Sequence, residues 1–181
     1  MSEENQTTQT VQIAPNAPRG GFETALEEAE LACFEFLCDA LGMKQEDRTA
    51  FVGVRGAGGV DCMVFDIGHL QTGDSTCFPA GVYHWRASAD FFDRDRSRLQ
   101  RTLMRLLGEL PIGHDWRCSH AVRRDSCVRQ FRIAPETNAV SDITTQSIEP
   151  RKGAANVDVF AATVQFDVVF HAGARSPVTA D

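Results

Sequence analysis

Residues 158–171 alternate with a period of two: Phe160, Ala162, Val164, Phe166, Val168 and Phe170 fall on one side of an extended backbone, and Thr163, Gln165, Asp167 and His171 on the other. A run this regular needs partner strands and an apolar layer over one face, so it predicts a central strand of an antiparallel or mixed sheet. Residues 82–90 repeat the pattern, with Tyr83, Trp85, Ala87 and Ala89 opposed to His84, Arg86, Ser88 and Asp90. They predict a half-buried strand with an aromatic-rich face.

Two segments switch to helical spacing. In residues 22–41, Phe22, Leu26, Ala29, Cys33, Phe36, Leu37, Ala40 and Leu41 form an apolar stripe. Glu23, Glu27, Glu28 and Glu30 crowd its first half, near the positive end of the helix dipole, and Gly42 stands where a C-terminal cap is expected. Residues 93–110 place Leu99, Leu103, Leu106, Leu107 and Leu110 on one side. Asp93 or Asp95 is available as the N-cap, and Pro111 ends the run. Arg94, Arg98, Arg101 and Arg105 line the opposite side. That stripe is either an ordinary solvated helix face or a contact surface, since arginine makes bidentate bonds to carboxylates and is enriched at interfaces.

Weaker signals fill the rest. Residues 49–55 and 60–67 are β-type runs separated by Gly56, Ala57, Gly58 and Gly59, which predicts a hairpin with a loose turn. The glycines match neither the dinucleotide fingerprint nor the Walker pattern, so a phosphate loop is not expected. Residues 68–80 read as a turn-rich loop, 112–126 as a polar loop, 127–134 as a weakly alternating strand and 135–156 as a long excursion. Residues 1–20 read as a flexible arm, acidic and polar with no leader-like apolar core, and 174–181 as a flexible tail. The expected fold is therefore α+β: a single domain over residues 21–173, with a twisted, mostly antiparallel or mixed sheet flanked by two main helices.

The longest uninterrupted apolar runs are far shorter than the ~20 residues of a membrane-spanning helix, so no membrane partner is expected. Six cysteines spread over 181 residues, without a Cys-x-x-Cys pair, read as reduced thiols. His114, Cys118, His120 and Cys127 are the densest set of zinc-type ligands, but their spacing fits no standard finger. No metal site or cofactor is assigned on that basis. The formal charge of −7 is unevenly placed. From Arg86 to Arg132 eleven arginines face six acids, a balance of +5, which leaves −12 on the remainder. Such polarity favours ordered contact with further copies or charged partners over general nucleic-acid binding. No nucleophile elbow, zincin helix, paired-carboxylate motif or calcium loop occurs, and the five histidines do not converge. His84, on the polar side of its strand, reads as a solvated or sheet-face histidine. A non-enzymatic role is expected.

An acidic-headed first helix, two or three strands, an aromatic-faced strand running straight into an amphipathic helix, a long loop and a terminal strand reading FAATVQFDVVF follow one another. This order resembles the tail terminator (tail completion) proteins of long-tailed bacteriophages, over approximately residues 22–173. The arm and the 135–156 excursion depart from shorter members. The resemblance implies a structural virion protein without an active site, a homo-oligomer forming a hexameric ring on the head-proximal end of the tail. Its implied partners are the tail tube protein below and a head-completion or connector protein above. DNA would pass through the ring without sequence-specific binding. Arg94, Arg98, Arg101 and Arg105 would meet an acidic face on the adjacent subunit or the tube. Two alternatives stand beside it: another neck or tail component, such as a connector or tail-tube-like protein, and a small zinc-binding or enzymatic domain around Cys118.

Overall fold

A computed structural model of the protein describes residues 21–56, 59–68, 76–78, 82–110 and 127–171. They form helix α1 (Gly21–Leu41), strands β1 (Ala50–Val52), β2 (Cys62–Asp66), β3 (Thr76–Phe78) and β4 (Val82–Asp93), helix α2 (Arg96–Glu109), and strands β5 (Val128–Ile133), β6 (Thr144–Ile148) and β7 (Val157–His171). The strands make one seven-stranded sheet in the order β1-β2-β4-β7-β5, with β3 added to β4 and β6 to β7. Only β1 and β2 run parallel; every other pairing is antiparallel. The α+β mixed-sheet expectation holds, and the two helices share one face of the sheet.

β7 is central, as its alternation predicts. One edge pairs with β4 from Val82↔His171 to Asp93↔Phe160. The other edge is shared: β5 takes the end containing Phe166 to Phe170, Val140 bridges Val164, and β6 takes Val157 to Ala161. Residues 128–148 thus follow β7 as one interrupted strand, and residues 135–138 bulge away from it.

The sequence alternation becomes a layer boundary. Trp85, Ala87, Ala89 and Phe91 of β4, Met63 and Phe65 of β2, Phe131 and Ile133 of β5, and Val164, Phe166, Val168 and Phe170 of β7 are buried beneath the helices. From α1, Ala25, Ala29, Cys33, Leu37 and Leu41 enter this core, and from α2 Leu99, Leu103 and Leu106, with Leu110 just beyond its end. The Phe131 ring stacks on Phe166 at 4.9 Å and meets the edges of Phe36 and Phe65. Each fully buried phenylalanine contributes about 3–5 kcal/mol by the usual cost of truncating it to alanine.

Both helix ends follow from local chemistry. Gly42 takes φ +69°, and the Met43 amide donates to the Cys38 carbonyl at 3.0 Å, which closes α1 in a Schellman turn. Asp95 caps α2: its carboxylate accepts from the amides of Ser97 at 2.8 Å and Arg98 at 3.3 Å.

Four expectations are corrected. β1 and β2 do not form a hairpin, because the link between them carries the chain back to the start of β1. The Met63 amide then donates to Thr49 and the Gly53 amide to Phe65, a parallel ladder. The 68–80 loop contains β3, and the 135–156 excursion contains β6. Thr144, Thr145, Gln146 and Ser147 of β6 are all exposed, so this edge strand has no apolar face to betray it. Asp93 belongs to β4 and Arg94 to the connection, so α2 starts later than residue 93. The arm of residues 1–20, the 112–126 loop and the 174–181 tail lie outside the described residues.

Candidate functional site

The sheet face turned away from the helices carries a charge network built by register. Arg86 of β4, Asp167 of β7 and Arg132 of β5 stand opposite one another on three adjacent strands, so their side chains project from the same face. Asp167 is 1% exposed. Its Oδ2 accepts from Arg132 Nε at 3.0 Å and Nη2 at 2.8 Å. Arg86 Nε lies 3.2 Å from Oδ1, and His84 Nε2 lies 3.5 Å from the same atom, although neither approach has hydrogen-bonding geometry. Glu136, in the bulge after β5, receives both terminal nitrogens of Arg86, with Nη1 to Oε2 at 2.9 Å. These bonds hold the Glu136 carboxyl down to about 2.

Two guanidiniums and two carboxylates close this set, with His84 at its rim. Its chemistry is electrostatic stitching of β4, β7 and β5. The sequence reading leaves His84 without a partner and Asp167 on a polar face. What could have found the network is one charged residue inside a Val/Phe-rich strand.

Beside the network, the face is covered. Gly56 and Gly59 lie against Phe51, whose ring is so close to both that a Cβ on either would overlap it. Arg55 sits 5.8 Å from the Phe92 ring centre and donates to the carbonyls of Gly59 and Glu149, both at 3.1 Å. Gly56 and Gly59 thus admit an aromatic ring. Burial pushes the Cys62 thiol beneath it up to about 11. Cys38, near the end of α1, rises to about 11 through burial, with Asp39 and Glu35 adding to it.

The four arginines of the predicted stripe divide. Arg94 grips Asp61: its Nη2 donates to Oδ2 at 2.6 Å, its Nε to Oδ1 at 3.1 Å and its backbone amide to Oδ1 at 2.9 Å. Arg98 closes on Asp93, Nε to Oδ2 at 2.5 Å and Nη2 to Oδ1 at 2.7 Å, and reaches Asp61 at 2.9 Å. The Arg94 bonds hold Asp61 below the usual carboxylate range, and the Asp93 bonds raise Arg98 above its own. Arg105 Nη1 reaches the Leu41 carbonyl at 3.4 Å, at the end of α1. Among the described residues, Arg101 Nε donates only within its own helix, to Ser97 O at 3.3 Å. Arg94 and Arg98 therefore serve the fold first, pinning the β4–α2 corner to the link before β2.

The chain matches no protein-family model and no curated protein. Of the four residues noted as zinc-type ligands but not assigned a metal, His114, Cys118 and His120 lie outside the described residues. Cys127 Sγ donates to the Ala25 carbonyl at 3.1 Å and ties the start of β5 to α1. Among the described residues no group of three or more His, Cys, Asp or Glu is placed to hold a metal, and no helix is long and apolar enough to cross a membrane.

Proposed function

We propose that the protein is a structural component of a phage virion, a ring-forming tail terminator that caps the head-proximal end of the tail tube. In this role it stops tube polymerisation and joins the tail to a head-completion or connector protein. It needs no cofactor and carries out no reaction, and DNA passes through the ring without being read. It would be made in the host cytoplasm and act in the neck of the particle.

The unit formed by β4, α2 and β7 carries the reading. The aromatic-faced strand on which the resemblance rests pairs with the terminal strand along its whole length, from Val82↔His171 to Asp93↔Phe160. Only Arg94 and Asp95 separate that strand from α2, which folds back over it. The charges of this network also suit a structural part: Asp167, Arg132, Arg86 and Glu136 are spent on one another. The exposed edge strand β6 gives a further supporting feature, because such a strand offers backbone groups to a neighbouring chain.

The test is assembly. Purified full-length protein, added to polymerising tail tube protein, is expected to sit as a ring on one tube end and to fix tube length, as seen by negative-stain microscopy. Tubes that grow unchanged, with no added density at either end, would refute the reading.

A further inference from the structure

The two helices carry opposite charge. α1 contains six acidic residues and no basic one, whereas α2 contains four arginines and a single glutamate. On α1, Glu27, Leu31, Glu35 and Asp39 recur every fourth residue, and all four are exposed. On α2, Arg96, Arg101, Met104 and Arg105 are exposed. Leu31 is 53% and Met104 64% exposed, two of the three large apolar side chains exposed among the described residues. Each helix therefore shows solvent one large apolar residue with charges of one sign around it, and the exposed Glu109 stands apart at the last position of α2.

These faces occupy different parts of the helix layer. α1 packs over β7 and β5, and α2 over β4 and β7, so the acidic helix lies toward the β5 edge and the basic one toward the β1 edge. Arg94 and Arg98 are already neutralised by Asp61 and Asp93, whereas Arg96 and Arg101 face no acid within ion-pair distance among the described residues. A chain carrying an acidic, leucine-centred face and a basic, methionine-centred face is complementary to a second copy of itself. Such a contact joins unlike patches, and this heterologous geometry builds a ring when the rotation between successive copies closes, and an open filament when it does not.

We propose that the outer face of α1 on one copy docks on the outer face of α2 on the next, with Leu31 and Met104 at the centre and Glu27, Asp39, Arg96 and Arg101 around them. The inference rests on the ring reading above and names the contact that would build the ring. Charge complementarity sets orientation and excludes like-with-like docking, and the apolar centre supplies area removed from water.

Two full-length variants test it: Glu27→Arg with Asp39→Arg, and Arg96→Glu with Arg101→Glu. Both change exposed positions, and thermal melting checks that each folds. Mass photometry is expected to show assembly reduced at least tenfold for either variant alone and restored when they are mixed in equal amounts. In the mixture each reversed face meets its complement, and the two unaltered faces still match. Leu31→Ser, which spares the core, is expected to weaken assembly without a charge change. Either charge variant assembling like the wild type, or folded variants failing to recover on mixing, would overturn this contact while leaving the ring intact. A wild-type chain that stays monomeric both alone and with tail tubes would overturn the contact and the ring reading together.

Discussion

Replacing Asp167 by Asn keeps the side-chain shape and removes the charge on which Arg132 and Arg86 converge. Deleting one partner of a buried ion pair typically costs about 3–5 kcal/mol, because the remaining charge is left uncompensated away from water. Here the remaining charges are not sealed in: the Arg132 side chain is 22% exposed and that of Arg86 44%, and Arg86 keeps Glu136. Water recovers part of the loss, so we expect about 2–3 kcal/mol of destabilisation. For a chain of this size that corresponds to a Tm lower by roughly 4–12 °C. Urea unfolding followed by circular dichroism should show a lower midpoint with an unchanged slope. An Asp167→Asn protein within about 0.5 kcal/mol of the wild type would show that the three strands do not depend on this carboxylate, and the stitching argument would be wrong.

Other outcomes follow from the same geometry. Glu136 has a folded value of about 2 against an ordinary 4.5, so its contribution is present above pH 4.5 and lost as pH falls toward 2. Because Glu136 is nearly half exposed, that contribution stays below about 1 kcal/mol. The stability gap between wild type and Glu136→Gln should be seen at pH 6 and vanish near pH 2; a gap independent of pH would contradict the assignment. Cys62 and Cys38, both raised to about 11, should alkylate slowly at pH 7.5 and quickly in urea when followed by peptide mass spectrometry. Rapid labelling of the native protein would place these thiols outside the packing described. Gly56→Ala forces a Cβ against the Phe51 ring and should cost about 1–3 kcal/mol. Adding Phe51→Ala should relieve part of that clash, and a double variant showing the simple sum of both losses would argue against the contact.

The expected and observed elements agree where burial imposes a period. α1, α2, β4 and β7 each bury one face, so Leu99, Leu103 and Leu106, or Val164, Phe166 and Val168, mark their elements directly. β6 escaped because Thr144, Thr145, Gln146 and Ser147 are all exposed and leave no buried face to set a period. The parallel pairing of β1 with β2 escaped because two short apolar runs joined through glycines look alike whether the second returns or restarts. The arginine stripe was legible as a pattern, but its division was not: Asp61 lies far from Arg94 along the chain, and only folding brings the two together.

What the chain determined by itself is therefore local: which face of each long helix and strand is apolar, where α1 stops at Gly42, that an aspartate is at hand to cap α2, and how unevenly charge is spread. These depend on neighbours a few residues away, within reach of backbone geometry. Tertiary structure decided which charges are consumed and which remain for other molecules. Arg86, Asp167 and Arg132 meet only because β4, β7 and β5 lie side by side in one register, and Arg94 and Arg98 are held by acids from the segment before β2 and the end of β4. An ion pair forms across space and leaves no period in the sequence, so which arginines stay available to a partner is a property of the fold.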